Sequence, residues 1–133
     1  MSTTSEIPAG SMIDLAQLVV GLERSSGRAV LVQQTGGPPN RIDGYTVGSA
    51  WVEGEPPHRG EMHPDGDELL YIVSGRFNVT LELDAGPRTI ELRPGDALVV
   101  PRGVWHLVQM QEPGQLIHIT PGPGGSHRPL PDA

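Results

Sequence analysis

The chain contains no cysteine, and this absence limits the kinds of site that it can build. Neither a disulfide framework nor a thiolate metal site is possible, so a metal ion would have to be held by imidazole and carboxylate groups. Aromatic residues are also scarce, at 4% of the 133 residues. Most of the hydrophobic core must therefore consist of valine, leucine and isoleucine, which favour β-strands.

Long apolar segments and basic surfaces are missing as well. No run of about 18 apolar residues occurs, so we expect no membrane span. Acidic residues outnumber basic ones by 16 to 9, for a net charge of -7. No basic stripe is present, so neither nucleic acid nor an anionic membrane is an expected partner. The first eleven residues lack the basic and apolar regions of a secretory signal, and we expect a cytoplasmic protein.

Glycine and proline, by contrast, are abundant, with 18 and 14 copies, which is typical of many short elements joined by turns. We predict one domain over residues 12–120, after a flexible lead over residues 1–11. The Pro/Gly-rich tail over residues 121–133 is predicted to be extended or disordered and unable to pair as a strand. Apolar spacing, with Asp14 as a cap, predicts a short helix over residues 14–22.

The rest of the chain is predicted to be β-structure. Phe77, Val79, Leu81 and Leu83 alternate with polar residues, so one face of this strand should be buried. Short strands at regular spacing, with turn residues between them, indicate an all-β sandwich or barrel. The predicted strands cover residues 29–35, 45–53, 68–74, 76–83, 88–92, 97–100, 105–111 and 115–120.

Metal-ligating residue types are concentrated around one predicted hairpin. Glu61 and His63 are two residues apart on extended chain, so their side chains point to the same face. A turn sequence follows at residues 64–67, and Glu68 opens the next strand beside the first pair. A fourth ligand must come from elsewhere, and His106, directly after a tight turn, is the candidate donor.

Two motifs around these residues resemble those of the cupin family. The run Glu61-x-His63-x4-Glu68-x6-Gly75 is similar to the first cupin motif, in which a histidine usually stands in place of Glu61. The run Gly95-x5-Pro101-x-Gly103-x2-His106 is similar to the second motif, although Met110 stands where an asparagine usually follows. The resemblance implies the cupin double-stranded β-helix, a jelly-roll barrel, here with a short N-terminal helical segment.

The resemblance also implies one divalent metal ion on His63, Glu68 and His106, with Glu61 in place of the usual first histidine. A carboxylate at that position favours Fe, Mn, Zn or Ni over Cu(I). Glu61 is either a direct ligand or a hydrogen-bonding partner of a ligand histidine. His58 is a weaker rival for the fourth position.

The other histidines are expected to have ordinary roles. His118 lies in an apolar strand and should be a core or cavity-wall residue, whereas His127 should be a surface residue. Met110 shares a strand face with the metal, so the pocket beside the ion should be largely apolar. Candidate wall residues are Phe77, Trp51 and Tyr45.

These features predict a metal-dependent enzyme that acts on a small organic molecule in the barrel cavity. We favour dioxygenase-like chemistry, with Glu61 and Glu68 as the catalytic, proton-transferring groups. The alternatives are a metal-dependent isomerase, lyase or cyclase, and a non-catalytic ligand-binding cupin, because one fold hosts many functions. We also expect a homodimer, in which the strand over residues 29–35 could join the sheet edge of a second copy.

Overall fold

A computed structural model describes residues 3–131 of the chain. Two residues of the predicted lead, 1–2, and two of the predicted tail, 132–133, lie outside this range. The described residues form twelve strands: β1 (Thr4–Glu6), β2 (Val19–Glu23), β3 (Ala29–Val32), β4 (Gly44–Val52), β5 (His58–Met62), β6 (Glu68–Ile72), β7 (Arg76–Leu83), β8 (Gly86–Leu92), β9 (Ala97–Val100), β10 (His106–Glu112), β11 (Gly114–Gly122) and β12 (Ser126–Pro129).

The strands form two antiparallel sheets. The larger sheet has the order β1-β3-β2-β4-β11-β6-β9, and the smaller has the order β12-β5-β10-β7-β8. Strands far apart in the chain are therefore neighbours, such as β4 with β11 and β5 with β10. This connectivity is that of a jelly roll, and the predicted all-β barrel is confirmed.

The core lies between the two sheets. In β7, Phe77, Val79 and Leu81 are buried, and the residues between them are more exposed, as the alternation predicts. Facing strands of the larger sheet contribute Leu70, Ile72, Val100 and Leu116 to the same cluster. Aliphatic side chains thus make up nearly all of the core, which agrees with the shortage of aromatic residues.

The predicted helix over residues 14–22 is wrong, and the described residues contain no helix. Asp14 does cap one turn: its side chain accepts a hydrogen bond from the amide of Ala16, and its carbonyl accepts one from the amide of Leu18. The chain then enters β2 at Val19, because the two valines favour a strand and Gly21 disfavours a helix. A β-carbon on Gly21 would lie 2.6 Å from Ile42, so this strand packs closely through its glycine.

The prediction that the tail cannot pair is also wrong. Strand β11 continues to Gly122, and β12 pairs with β5 through Ser126 opposite Met62 and His127 opposite Glu61. Proline is tolerated in β12 because this strand is the edge of the smaller sheet, where one side of the backbone needs no partner. At the other end of the chain, β1 within the predicted flexible lead pairs with β3.

The outer face of the larger sheet exposes several large apolar side chains. Trp51, Tyr71, Val73 and Val99 are 61%, 41%, 41% and 52% exposed, and strand alternation places them on the face opposite the core. We call these four residues the outer apolar face. Strand β3 lies between β1 and β2, so its edge is not available to a second copy, and that part of the dimer prediction is wrong. No helix in residues 3–131 is long and apolar enough to cross a membrane.

Candidate metal centre

Four potential metal ligands meet at one end of the barrel. Glu61 lies near the end of β5, and His63 follows that strand directly. Glu68 is the first residue of β6 and His106 is the first residue of β10. Glu61 and His106 are directly opposite each other in the sheet. We call Glu61, His63, Glu68 and His106 the donor cluster.

Two turns hold the donor cluster together. Asp67 accepts a hydrogen bond of 2.8 Å from the amide of Arg102, whose guanidinium donates one of 2.6 Å to the carbonyl of Pro64. The amide of Gly103 donates to the carbonyl of His63 at 2.9 Å. The turn before β10 is thereby fastened to the turn after β5, which brings His106 beside His63, 43 positions earlier in the printed sequence.

The donor atoms of the cluster all lie within 4.8 Å of one another. Nε2 of His106 is 3.0 Å from Oε1 of Glu68, and Nε2 of His63 is 3.3 Å from Oε2 of Glu68. Oε1 of Glu61 is 3.8 Å from His106 Nε2 and 4.0 Å from His63 Nε2. Three of the side chains are almost fully buried, and that of Glu61 is 27% exposed. Glu61 therefore occupies the solvent side of the cluster.

These residues fit a divalent metal ion. Nitrogen and oxygen ligands about 2.1 Å from one ion are separated by about 3.0 Å at right angles and about 3.4 Å at tetrahedral angles, close to the shorter separations measured here. Both ring nitrogens of His63, Nε2 of His106 and Oε1 of Glu68 are buried without a hydrogen-bond partner in good geometry. Unpaired buried polar atoms are costly unless something binds them. One divalent cation could bind three of these atoms, Nε2 of His63, Nε2 of His106 and Oε1 of Glu68. Nδ1 of His63, on the other side of its ring, cannot reach the same ion.

Hydrogen bonds outside the cluster orient two of its members. Nδ1 of His106 lies 3.3 Å from the carbonyl of Val104, and because a carbonyl can only accept, Nδ1 carries the hydrogen. In the neutral ring this leaves the lone pair on Nε2, which faces the cluster. The hydroxyl of Thr120 donates to Oε2 of Glu68 at 2.7 Å. Since its hydrogen is used there, Thr120 accepts from Nδ1 of His118 at 3.2 Å.

The histidines and carboxylates also shift one another's protonation. Burial alone would raise the pKa of Glu68, but the adjacent His106 and His63 outweigh it and hold this pKa far below its usual range. Burial alone would lower the pKa of His106, but Glu68, with help from Glu61, raises it above the usual value of about 6.5. In the metal-free protein, the His106 contribution to stability is fully present below about pH 6.5 and is lost as pH rises through the raised pKa. The Glu68 contribution is fully present above its ordinary pKa and is lost progressively as pH falls from there through its lowered pKa.

The other histidines lie outside the donor cluster. Nδ1 of His58 accepts a hydrogen bond from the amide of Gly60, and its Nε2 is 3.9 Å from Glu61. His118 contacts the cluster only through Thr120, and burial lowers its pKa. It is thus a half-buried residue beside the donor cluster and not a member of it. His127 is exposed on β12.

A cavity of about 120 Å³ opens beside the cluster, and the segment after β11 forms much of its wall. We call it the tail cavity. It is lined by Pro38, Pro39, Arg41, Glu61, His63 and residues 123–127. The predicted apolar pocket is not found at this position: Met110 packs against the core, Phe77 is completely buried, and Trp51 is exposed and donates to Glu53.

Two residues at the site were not identified from the sequence. Thr120 reaches Glu68 across a separation of 52 positions, and only its alternation with His118 along β11 hinted that both share a face. Arg41 lies in a loop beside two prolines and two residues ahead of Asp43, and no local pattern marks it. Their roles follow from long-range packing.

Comparison with known proteins agrees with this architecture. Solved structures of oxalate decarboxylase from Bacillus subtilis, an enzyme with Mn(II) centres, are 24% identical over 62% of this chain, with a TM-score of 0.53. A mutant of the same enzyme is 25% identical over 65% of this chain, with a TM-score of 0.52. Peruvianin-I, a cysteine peptidase from Thevetia peruviana latex, is 18% identical over 65% of this chain and 56% of its own, with a TM-score of 0.55.

These similarities concern the fold. The chain spans only 23% to 24% of the oxalate decarboxylase chains, and it has no cysteine with which to act as a cysteine peptidase. No curated protein matches the sequence. The family model of the cupin domain matches residues 52–120, a range that contains the whole donor cluster and more than half of the chain. The chain therefore belongs to the cupin family.

Proposed function

We propose that the protein is a metal-dependent enzyme with dioxygenase-like chemistry, acting on a small organic molecule in the tail cavity. One observation carries this proposal: buried histidine and glutamate donors converge within 4.8 Å and leave their metal-binding atoms unpaired. A purely structural ion-pair network would direct its hydrogens and lone pairs at one another. In the donor cluster, Nε2 of His63, Nε2 of His106 and Oε1 of Glu68 lack a hydrogen-bond partner in good geometry and lie close enough together to share one ion.

The donor set favours particular ions. His63, His106 and Glu68 provide two imidazoles and one carboxylate, the combination used by non-haem Fe(II) oxygenases. Carboxylate oxygens also suit Mn(II), and imidazoles also suit Zn and Ni. We place Fe(II) and Mn(II) first, because either ion would supply both Lewis acidity and electron transfer for a reaction with O₂.

Within this proposal the two glutamates have different roles. Glu68 is buried, accepts from Thr120 and has a strongly lowered pKa, so it remains a carboxylate and serves as a ligand. Glu61 is partly exposed and lines the tail cavity. Its carboxylate can therefore reach a bound molecule and accept or return a proton there.

A second candidate function is a metal-dependent lyase. The similar fold of oxalate decarboxylase, with its Mn(II) centres, supports this alternative. In that case Glu61 would still exchange protons with the substrate, while O₂ would not be consumed. The two functions are separated by measuring oxygen uptake and the metal that the protein retains.

The experiment is elemental analysis of protein purified without added metal, followed by reconstitution with Fe(II), Mn(II), Zn(II) and Ni(II). We expect about one ion per chain in the wild type and almost none in His106→Ala. His127→Ala is the matched control, because this exposed histidine lies opposite Glu61 but outside the donor cluster. Nitric oxide added to the Fe(II) protein should produce the electron paramagnetic resonance signal of an iron centre with an open position. Full metal occupancy in His106→Ala would refute the proposal.

A further inference from the structure

Arg41 is a half-buried arginine in the tail cavity, which it lines together with Glu61 and His63. Among residues 3–131, five of the nine arginines pair with a carboxylate, and Arg41 does not. Its only polar contact in that range is a weak one, from its guanidinium to the hydroxyl of Thr46 at 3.5 Å. Partial burial of a guanidinium favours an anionic partner.

Arg41 is separated from the donor cluster by a glycine. A β-carbon added to Gly125 would lie 3.8 Å from Nε of Arg41 and 4.0 Å from Nδ1 of His63. The two side chains therefore face the same small space. The backbone of the tail closes this space on one side without filling it.

Charge in the cavity changes when a metal ion binds. With neutral histidines, Glu61 and Glu68 give the donor cluster two negative charges, which a divalent ion cancels. The guanidinium of Arg41 then gives the metal-loaded site a net charge of about +1. Such a site attracts a monoanion, and the planar guanidinium matches the two oxygens of a carboxylate.

We propose that Arg41 binds the carboxylate group of a small organic acid whose reacting end lies at the donor cluster. This inference rests on the proposed metal-dependent function and names its substrate class. The cavity volume of about 120 Å³ corresponds to about four water molecules at a liquid volume of about 30 Å³ each. Pockets that hold drug-sized ligands measure about 300 Å³ or more, so this cavity suits a smaller molecule. Arg41 is then a specificity-determining residue, and the tail is part of the substrate site.

The test uses the full chain loaded with Mn(II) and two probes of equal shape, acetate and the uncharged acetamide. Paramagnetic relaxation of the probe's methyl protons reports its binding close to the ion. In the wild type, acetate should bind more tightly than acetamide. Arg41→Met keeps the apolar stem and should weaken acetate binding by about 10- to 100-fold, the effect of losing a charge-assisted hydrogen bond. Acetamide binding should not change.

Two further variants complete the design. Arg59→Met removes the same charge from an exposed position on β5, beside a different cavity, and should bind acetate like the wild type. Gly125→Ala adds a methyl group with only ordinary contacts and should weaken acetate binding by narrowing the space. If Arg41→Met does not fold, acetate binding by Gly125→Ala tests the proposal in its place.

The outcomes separate this inference from the proposed function. Normal Mn(II) uptake with acetate binding unchanged in Arg41→Met, or in Gly125→Ala, overturns the carboxylate site and leaves the metal site standing. Equal losses in Arg41→Met and Arg59→Met also overturn it, because only general charge would then matter. Absence of uptake of all four ions, Fe(II), Mn(II), Zn(II) and Ni(II), by the wild type refutes the proposed function itself, and this inference with it.

Discussion

Replacing Thr120 by valine tests whether Glu68 is held in place for metal binding. The substitution keeps the shape of the side chain and removes its hydroxyl, which donates to Glu68 at 2.7 Å and accepts from His118 at 3.2 Å. Thr120 is 1% exposed and Glu68 is 3% exposed. Water therefore cannot readily replace either bond.

The size of the effect follows from the bonds lost. A hydrogen bond to a charged group contributes about 1.5–3 kcal/mol, and a buried donor left without an acceptor costs about 1–3 kcal/mol. Because the two bonds share one hydroxyl, we expect the free energy of unfolding of the metal-free protein to fall by about 2–4 kcal/mol. Loss of a group that orients a metal ligand typically lowers metal affinity by about 10- to 100-fold.

Titration with Mn(II) and denaturant unfolding measure the two quantities. Thr46→Val is the matched control, since Thr46 is a buried threonine on the adjacent β4 whose hydroxyl donates to a backbone carbonyl. It should lose stability and keep the metal affinity of the wild type. Thr120→Ser keeps the hydroxyl and should restore most of the affinity. Unchanged Mn(II) affinity in Thr120→Val would show that this hydroxyl does not position Glu68.

Three other predictions concern the cluster and the outer apolar face. His63→Ala should remove the metal, whereas Glu61→Ala should weaken metal binding by only about 10- to 100-fold. If elemental analysis shows the same loss of metal in both variants, His63 and Glu61 do not have the unequal roles proposed for them. The difference in melting temperature between metal-loaded and metal-free protein should narrow from about pH 8 to pH 5, because protons compete for His106, whose pKa is raised; a constant difference would mean that the histidines are not ligands. Sedimentation at micromolar concentration should give a dimer of about twice the 14.2 kDa chain mass, and Val99→Glu should give monomer; a monomeric wild type would contradict the homodimer.

Local sequence patterns were sufficient to predict a strand where the residues that determine its bounds lie within it or directly beside it. The bounds of β7 and β9 were predicted as observed, because side-chain alternation and flanking turn residues mark both ends. The helix over residues 14–22 failed because apolar spacing cannot separate a helix from a turn followed by a strand when the run is short. Strand β12 was missed because its partner, β5, lies more than sixty residues earlier, and only the sheet edge makes its proline acceptable.

The candidate site likewise contains residues that local sequence patterns predicted and residues that they did not. Glu61, His63 and Glu68 were found because a hairpin brings neighbours in the sequence together, and His106 was found because its motif spacing was recognisable. Their action as ligands and the catalytic roles of the two glutamates remain predictions. Arg41 was not predictable, since its place in the cavity depends on how a distant tail folds back over it.

The return of the tail to the metal end has a practical and an evolutionary consequence. Gly124 donates its amide to Asp65 at 2.6 Å, and β12 pairs with β5, so this segment is anchored to the barrel without entering its core. Changes in the sequence of residues 123–127 can therefore alter the wall of the tail cavity while the donor cluster and the hydrophobic core stay intact. For the same reason, an affinity tag fused close behind this segment, or a deletion that removes it, would alter the wall of the tail cavity. Recombinant work on this protein is better begun with the tag at the opposite terminus.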